Sequence, residues 1–189
     1  EVCAALGYNN VGTLETLYSD GDTGFLEMNT RIQVEHGVTE EVTGIDLVQQ
    51  QILLAAGARL PEPMALQGHA IEVRVYAEDA QTLMPSTGVL QVFQPPQLFG
   101  VRVETGYQQR QEVSPFYDAL LAKVIATGST REQAIGRAVV ALRAFAIEGV
   151  ETNTALLLRV LADDAFLRGD IDTGIVERIL RTGRRIPAL

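Results

Sequence analysis

The sequence predicts an α+β fold in which helices pack on a mostly antiparallel sheet. Three observations support this class. Two strand-like segments form a hairpin near the N-terminus, short strands separated by proline and glycine fill the middle of the chain, and the pattern becomes helical from Thr130 onward. Strands and helices that are grouped in this way are typical of α+β proteins.

Composition indicates a folded protein of one or two domains. The chain has 189 residues, of which 47% are hydrophobic and 21% are charged, as in soluble globular proteins. A net charge of -9 argues against nucleic acid as a partner. No apolar run approaches the length of a membrane span, and a single cysteine, Cys3, cannot form an intrachain disulfide. We therefore expect a cytoplasmic protein that binds neither membranes nor nucleic acid.

The first elements are a short helix and a β-hairpin. Residues 2–6 resemble the last turn of a helix that Gly7 would end, which suggests that the chain is a piece of something longer. Segments 11–18 and 25–34 are rich in strand-forming residues and flank the turn-forming run SDGDTG. We predict that they pair as a hairpin.

A domain boundary is predicted after the next helix. Asp46 is a suitable N-cap for a helix over 47–56, and the two prolines that follow, Pro61 and Pro63, prevent its continuation. The sequence therefore divides into a first domain over 1–67 and a second domain over 68–189.

The second domain begins with the clearest strand in the chain. Over residues 69–78 apolar and polar side chains alternate, which places Arg74 on the polar face. Further strands are predicted over 89–93, 101–104 and 120–127, a helix capped by Thr130 and Gln133, and shorter helices over 154–161 and 175–180. Sheet therefore dominates the middle of this domain.

Five polar residues near the hairpin stand at every second position of FLEMNTRIQVEHGVTE. They are Glu27, Asn29, Arg31, Gln33 and Glu35. If this stretch is extended, all five lie on one face of the strand. The sequence then predicts one surface that gathers two acids, two amides and a cation.

The hairpin also predicts a cation site. A turn centred on Gly21 sets Glu15 opposite Glu27, and two facing carboxylates repel by a few tenths to about 1 kcal/mol. A divalent cation removes this penalty, and carboxylates are usual ligands of nucleotide-bound magnesium. Asn29 adds a neutral oxygen on the same face. The alternative is an ordinary surface hairpin with its polar face in water, in which a one-residue slip separates the acids.

The remaining polar residues suit a small anion and a proton transfer. Arg31 and Gln33 could hold an oxyanion by hydrogen bonds while Glu35 removes a proton from it. From spacing alone, a solvated polar face remains the alternative for these residues, and also for Arg74.

At EMNTRIQVEHGVTE and GTLETL the chain resembles the biotin carboxylases, which are ATP-grasp enzymes. The resemblance continues through TGIDLVQQQILLAAG, GHAIEVRVYAED, MPSTGVLQVF, GVRVETG and PFYDALLAKVIATG, and so covers nearly the whole chain. It implies the end of an ATP-grasp domain followed by the biotin carboxylase C-terminal domain. It also implies that Glu15, Glu27 and Asn29 hold Mg²⁺ or Mn²⁺ on ATP.

The resemblance also gives roles to the remaining site residues. Bicarbonate would be bound by Arg31, Gln33 and the backbone of Val34, and Glu35 would be the base that deprotonates it. Arg74 would stabilise the enolate of biotin. The implied reaction uses MgATP and bicarbonate, proceeds through carboxyphosphate, and carboxylates N1 of biotin on a carrier.

Some family features are absent or altered. Many relatives read HPVTE where this chain has Gly37 after His36, which loosens the backbone beside Glu35. The family's glycine-rich lid, its ATP-binding lysines and the biotin attachment signature are missing from these 189 residues. We therefore expect a C-terminal fragment that is inactive alone.

The implied partners are a biotin carboxyl carrier domain or subunit, a carboxyltransferase, and a second copy in a homodimer of the full enzyme. Two alternatives remain open at this point. One is a noncatalytic module derived from the enzyme that serves only assembly with a partner. The other is a different ATP-grasp ligase such as a carbamoyl-phosphate synthetase, which does not explain the RIQVEH run or Arg74.

Overall fold

The computed structural model describes residues 2–59 and 65–182 in two compact units, Glu1–Gln67 and Gly68–Leu189. Pro61 and Pro63 lie outside the described residues. The first unit contains α1 (Val2–Ala5), β1 (Thr13–Ser19), β2 (Asp22–Asn29), α2 (His36–Thr43) and α3 (Leu47–Ala55). The prediction of an α+β fold is confirmed.

Strands β1 and β2 form the predicted antiparallel hairpin. The turn is centred between Asp20 and Gly21, which both have positive φ (52° and 93°), rather than on Gly21 as predicted. From this turn alone Glu15 would not face Glu27. A β-bulge shifts the register between residues 15 and 16, and Glu15 pairs with Glu27 beyond it. The predicted pairing is confirmed, but the bulge produces it.

The predicted strand over 25–34 is wrong beyond Asn29. After β2 the chain turns, the amide of His36 donates to the carbonyl of Gln33 (3.3 Å), and helix α2 begins at His36. The β-branched residues in this stretch favour strands only weakly without a pairing partner. Helix α3 begins as predicted, because the Asp46 carboxylate accepts from the Gln49 amide (2.7 Å).

The described residues of the second unit contain the strands β3 (His69–Tyr76), β4 (Gly88–Val89), β5 (Val92–Gln94), β6 (Val101–Glu104), β7 (Glu112–Val113), β8 (Leu120–Gly128) and β9 (Ala146–Glu148). Three of them form an antiparallel sheet in the order β3–β8–β6. The strand predicted over 89–93 is two short strands, since β4 pairs with β7 and β5 pairs with β9.

In the described part of this unit the helices are α4 (Arg131–Ala144), α5 (Thr154–Leu161), α6 (Asp164–Arg168) and α7 (Ile175–Thr182). Thr130 caps α4 as predicted, because its hydroxyl accepts from the Gln133 amide (3.2 Å). The short helix α6 was not predicted. No helix in residues 2–59 and 65–182 is both long enough and apolar enough to cross a lipid bilayer.

The core of the second unit lies between the sheet and α4. The apolar face of β3 supplies three buried residues, and β8 supplies a nearly continuous buried run. The main buried side chains are Ile71, Val73, Val75, Leu90, Phe93, Leu121, Val124, Ile135, Leu142 and Phe145. The alternation that predicted β3 is therefore confirmed, and Arg74 lies on the face opposite this core.

Candidate functional site

The first site residues are the two carboxylates of the hairpin. Glu15 is half-buried and Glu27 is exposed. The amide nitrogen of Asn29 donates to Glu15 Oε1 (2.6 Å) and lies 3.3 Å from Glu27 Oε1. The structure therefore brings these three residues together at the end of the hairpin, beside the bulge.

Gln33 joins this group from outside the strand. Its side-chain nitrogen donates to Glu15 Oε1 over 2.7 Å, so one carboxylate oxygen accepts from two amides. Both amides are held against a negatively charged group, which strengthens these hydrogen bonds. Glu15 is thus the centre of a polar cluster that comprises Glu15, Glu27, Asn29 and Gln33.

Arg31 does not continue the polar face of β2. It follows the end of the strand, is exposed, and its Nη1 donates to the carbonyl of Ile32 (3.2 Å). The prediction that one extended strand aligns all five alternating residues is therefore wrong. Glu27 and Asn29 belong to β2, whereas the other three lie in the loop and at the start of α2.

Glu35 stands at the N-cap position of α2 and is exposed. Its side chain makes no capping hydrogen bond, and its carbonyl accepts from the Val38 amide (3.2 Å). Next to it, His36 Nδ1 donates to the carbonyl of Gln33 (2.7 Å). This contact fixes the loop that carries Gln33 and the half-buried Val34.

Arg74 lies in the second unit, on β3, with 37% of its side chain exposed. Its Nε is 3.6 Å from Glu72 Oε1, and 4% of the Glu72 side chain is exposed. On the neighbouring strand Lys123 is directly opposite Arg74, and Lys123 pairs in turn with Glu104 on β6 (2.5 Å). Charged side chains therefore run across all three strands.

Two carboxylates of this row have altered pKa values. Burial raises the pKa of Glu72, and the positive charges of Lys123 and Arg74 oppose that effect. Burial also acts on Glu104, but hydrogen bonds and charges from Lys123 and Arg102 outweigh it and hold the pKa of Glu104 below its usual value. Glu104 is therefore stabilised as an anion, whereas Glu72 is not.

Sequence reasoning missed Glu72 and Asn153. Asn153 is 7% exposed, its Nδ2 donates to the carbonyl of Arg74 (3.1 Å) and its Oδ1 accepts from the amide of Tyr76 (3.0 Å). Its position before α5 indicates an N-cap, but no sequence signal connects it to a strand 77 residues earlier.

Two family models match consecutive parts of the chain. Residues 1–63 match the family described as carbamoyl-phosphate synthase L chain, ATP binding domain. Residues 72–178 match the biotin carboxylase C-terminal domain. The chain therefore belongs to the biotin carboxylase family, as its sequence motifs predict.

Individual relatives agree with this assignment. The chain is 46% identical to Biotin carboxylase 2 of Bacillus subtilis over 180 residues, which is 93% of this chain and 40% of that protein. It is 48% identical to a biotin carboxylase of Halalkalibacterium halodurans, covering 95% of this chain and 41% of that protein.

A solved structure has a very similar fold. The biotin carboxylase domain of a thermophilic 2-oxoglutarate carboxylase, bound to bicarbonate, superposes with a TM-score of 0.91 at 38% identity and covers 94% of this chain and 42% of that one. The chain thus spans about two fifths of the length of the relatives it matches. The family match identifies it as a C-terminal portion of a biotin carboxylase.

Proposed function

We propose that this chain supplies metal, bicarbonate and biotin contacts to a biotin carboxylase that uses MgATP and bicarbonate to carboxylate carrier-bound biotin. The observation that carries the proposal is the polar cluster of the hairpin, in which a β-bulge sets Glu15 opposite Glu27 and two amides converge on one carboxylate. Residues 1–67 form the end of the ATP-grasp domain in this proposal, and residues 68–189 form the C-terminal domain.

The donor set of this cluster fits a hard divalent cation. Glu15 and Glu27 offer carboxylate oxygens, which Mg²⁺ and Mn²⁺ prefer, and Asn29 adds an amide. The Asn29 nitrogen faces both carboxylates in the structure, so a rotation of the amide about χ2 would present its oxygen instead. When bound, the metal supplies charge neutralisation for the phosphates of ATP.

Bicarbonate would bind beside this cluster through Arg31, Gln33 and the backbone of Val34. Arg31 is exposed, and a guanidinium offers paired donors that suit a planar oxyanion. A rotation of its side chain away from the Ile32 carbonyl is required. Gln33 is held beside Glu15, which connects the anion site with the metal site through one side chain.

Glu35 would remove the proton of bicarbonate. A general base must reach the proton that it accepts, and Glu35 lies two residues after Gln33 on a loop that the His36 contact fixes. Deprotonated bicarbonate attacks the γ-phosphorus of ATP, and ADP leaves as carboxyphosphate forms. Carboxyphosphate then releases carbon dioxide and phosphate.

Arg74 would act on the second substrate. The phosphate released from carboxyphosphate accepts the N1 proton of biotin. This leaves negative charge on the ureido oxygen, which a guanidinium stabilises. The nucleophilic N1 then attacks carbon dioxide. A half-exposed arginine on a rigid strand suits this task, because its backbone is fixed while its guanidinium group reaches the substrate.

The same proposal implies partners and a location. Biotin must arrive on a carboxyl carrier domain or subunit, and carboxybiotin must pass to a carboxyltransferase. We also infer a homodimer of the full enzyme and a cytoplasmic location.

The test is ATP hydrolysis that depends on bicarbonate and is stimulated by free biotin. It is measured side by side on the 189-residue chain and on a longer protein in which an upstream ATP-grasp half precedes it. We expect activity in the longer protein alone. Absence of bicarbonate-dependent hydrolysis in a folded longer protein that binds ATP would refute the proposal and favour a noncatalytic assembly module.

A further inference from the structure

Next to Arg74 is a buried acid to which the proposed reaction gives no role. We propose that Glu72 is a positioning residue that orients the guanidinium of Arg74 toward biotin. This inference rests on the proposed function, because it assumes that Arg74 contacts biotin.

The geometry of β3 brings the two side chains together. Residues 72 and 74 are two positions apart on one strand, so their side chains share a face. The Glu72 Oε1 atom is 3.6 Å from Arg74 Nε, which is an ion pair rather than a hydrogen bond. An anion at Nε restricts rotation of the guanidinium plane and thereby sets the direction of both Nη groups.

The carboxylate of Glu72 interacts with the charges of Lys123 and Arg74 but accepts no hydrogen bond among the described residues. Its side chain is 4% exposed, and neither carboxylate oxygen has a hydrogen-bond donor in the part of the chain that the structure describes. Burial of a charge without hydrogen bonds is destabilising. A costly group beside a reactive arginine is typical of a functional site rather than of a stabilising contact.

The main chain of Arg74 is held independently. Strand β3 is at the edge of the sheet, and the Asn153 side chain bonds to the Arg74 carbonyl and the Tyr76 amide along that edge. The backbone of Arg74 is therefore fixed by hydrogen bonds on both sides of the strand. Glu72 acts instead on its side chain.

The experiment uses the complete carboxylase and four variants: Glu72→Gln, Glu72→Asp, Arg74→Ala, and the double variant that combines Glu72→Gln with Arg74→Ala. Two rates are measured for each protein: bicarbonate-dependent ATP hydrolysis without biotin, and the rate of biotin carboxylation with free biotin. Glu104→Gln is the matched control, because it removes a charge from the same sheet but pairs with Lys123 and Arg102 instead.

We expect Glu72→Gln to lower kcat for biotin carboxylation about tenfold to a hundredfold, as a misdirected catalytic group does. Hydrolysis without biotin should remain within about twofold of the wild-type rate. Glu104→Gln should leave both rates unchanged. In the Arg74→Ala background the Glu72 substitution should have no further effect on carboxylation, because its influence acts through Arg74. Glu72→Asp keeps the charge and should restore part of the lost rate.

Two results would overturn the inference and leave the proposed function standing. One is an equal loss of carboxylation from Glu72→Gln in the wild-type and Arg74→Ala backgrounds. The other is an equal loss of both rates in Glu72→Gln, which indicates a structural role. By contrast, normal biotin carboxylation in Arg74→Ala would refute the proposed role of Arg74 itself, and the role of Glu72 with it.

Discussion

Replacement of one hairpin carboxylate should separate stability from activity. In Glu27→Gln the side chain keeps its size but loses its charge. Glu15 and Glu27 are direct partners across the hairpin, and facing like charges cost about 0.2–1 kcal/mol. Without metal we therefore expect the free energy of unfolding to stay equal or to rise by up to about 1 kcal/mol, since the exposed position leaves no cavity.

The effect on turnover should have the opposite sign and be much larger. If Glu27 holds the metal that neutralises phosphate charge, its loss weakens stabilisation of the charge that develops in the transition state. Removal of a single electrostatic contact of this kind costs about 10²–10³ in kcat. The hydrogen bond from Asn29 Nδ2 to Glu27 Oε1 is long (3.3 Å) and contributes little to stability. Its loss in Glu27→Gln therefore changes the expected free energy of unfolding little.

The assay combines bicarbonate-dependent ATP hydrolysis of the complete enzyme with thermal unfolding at increasing Mg²⁺. Wild-type protein should gain stability as Mg²⁺ is added, by linkage between binding and folding, and Glu27→Gln should gain less. Asp22→Asn is the control, because Asp22 is an exposed acid of the same hairpin, next to its turn. Wild-type turnover in Glu27→Gln would refute the assignment of the metal site.

Three further predictions concern stability. Asn153→Ala removes two side-chain hydrogen bonds to the edge of β3 and should lower the free energy of unfolding by about 2–4 kcal/mol, measured by urea unfolding. Gly149→Ala should lower the free energy of unfolding by about 3 kcal/mol or more, because the φ of Gly149 is +107° and the new Cβ would lie 2.0 Å from the Val89 carbonyl oxygen. Its control is Gly136→Ala, which should be neutral or stabilising because nothing lies within 4 Å of the new Cβ. Glu104→Gln should destabilise at neutral pH, where the wild-type anion is stabilised. Because the folded-state pKa of Glu104 lies below the unfolded value, that difference in melting temperature should shrink as pH falls below about 4.3, and a constant difference would contradict the ion-pair explanation.

Local patterns predicted most of the regular structure. The helix over Thr154–Leu161 agrees with its predicted bounds, and the helices capped by Asp46 and Thr130 start where their caps indicated. Each of these signals acts within a few residues. The predicted strand was wrong over residues 30–34, where strand-forming residues occur without a neighbouring strand to pair with, and α2 was not predicted. Pairing depends on distant residues, so sequence periodicity alone does not decide it.

The candidate site was predictable in its residue types but less so in its arrangement. The sequence predicted that Glu15 lies opposite Glu27 because of a turn centred on Gly21. In the structure a β-bulge places the two residues opposite each other instead. Symmetric counting from a turn assumes a regular ladder, which a bulge breaks. The contribution of Gln33 was predicted as an anion contact, whereas the structure shows its amide on Glu15.

The two units give their site residues different mechanical support. Arg74 stands on a sheet whose other face is buried in a continuous apolar core. In the first unit, no hydrophobic side chain is fully buried among those that the structure describes, and Leu17, Phe25 and Leu26 on the hairpin are exposed. Among the described residues, the cluster around Glu15 is therefore held mainly by its polar contacts, whereas Arg74 stands on a packed sheet. For this reason a substitution of a metal ligand is the more sensitive test of the proposed reaction, and a substitution on the sheet is the better test of side-chain orientation.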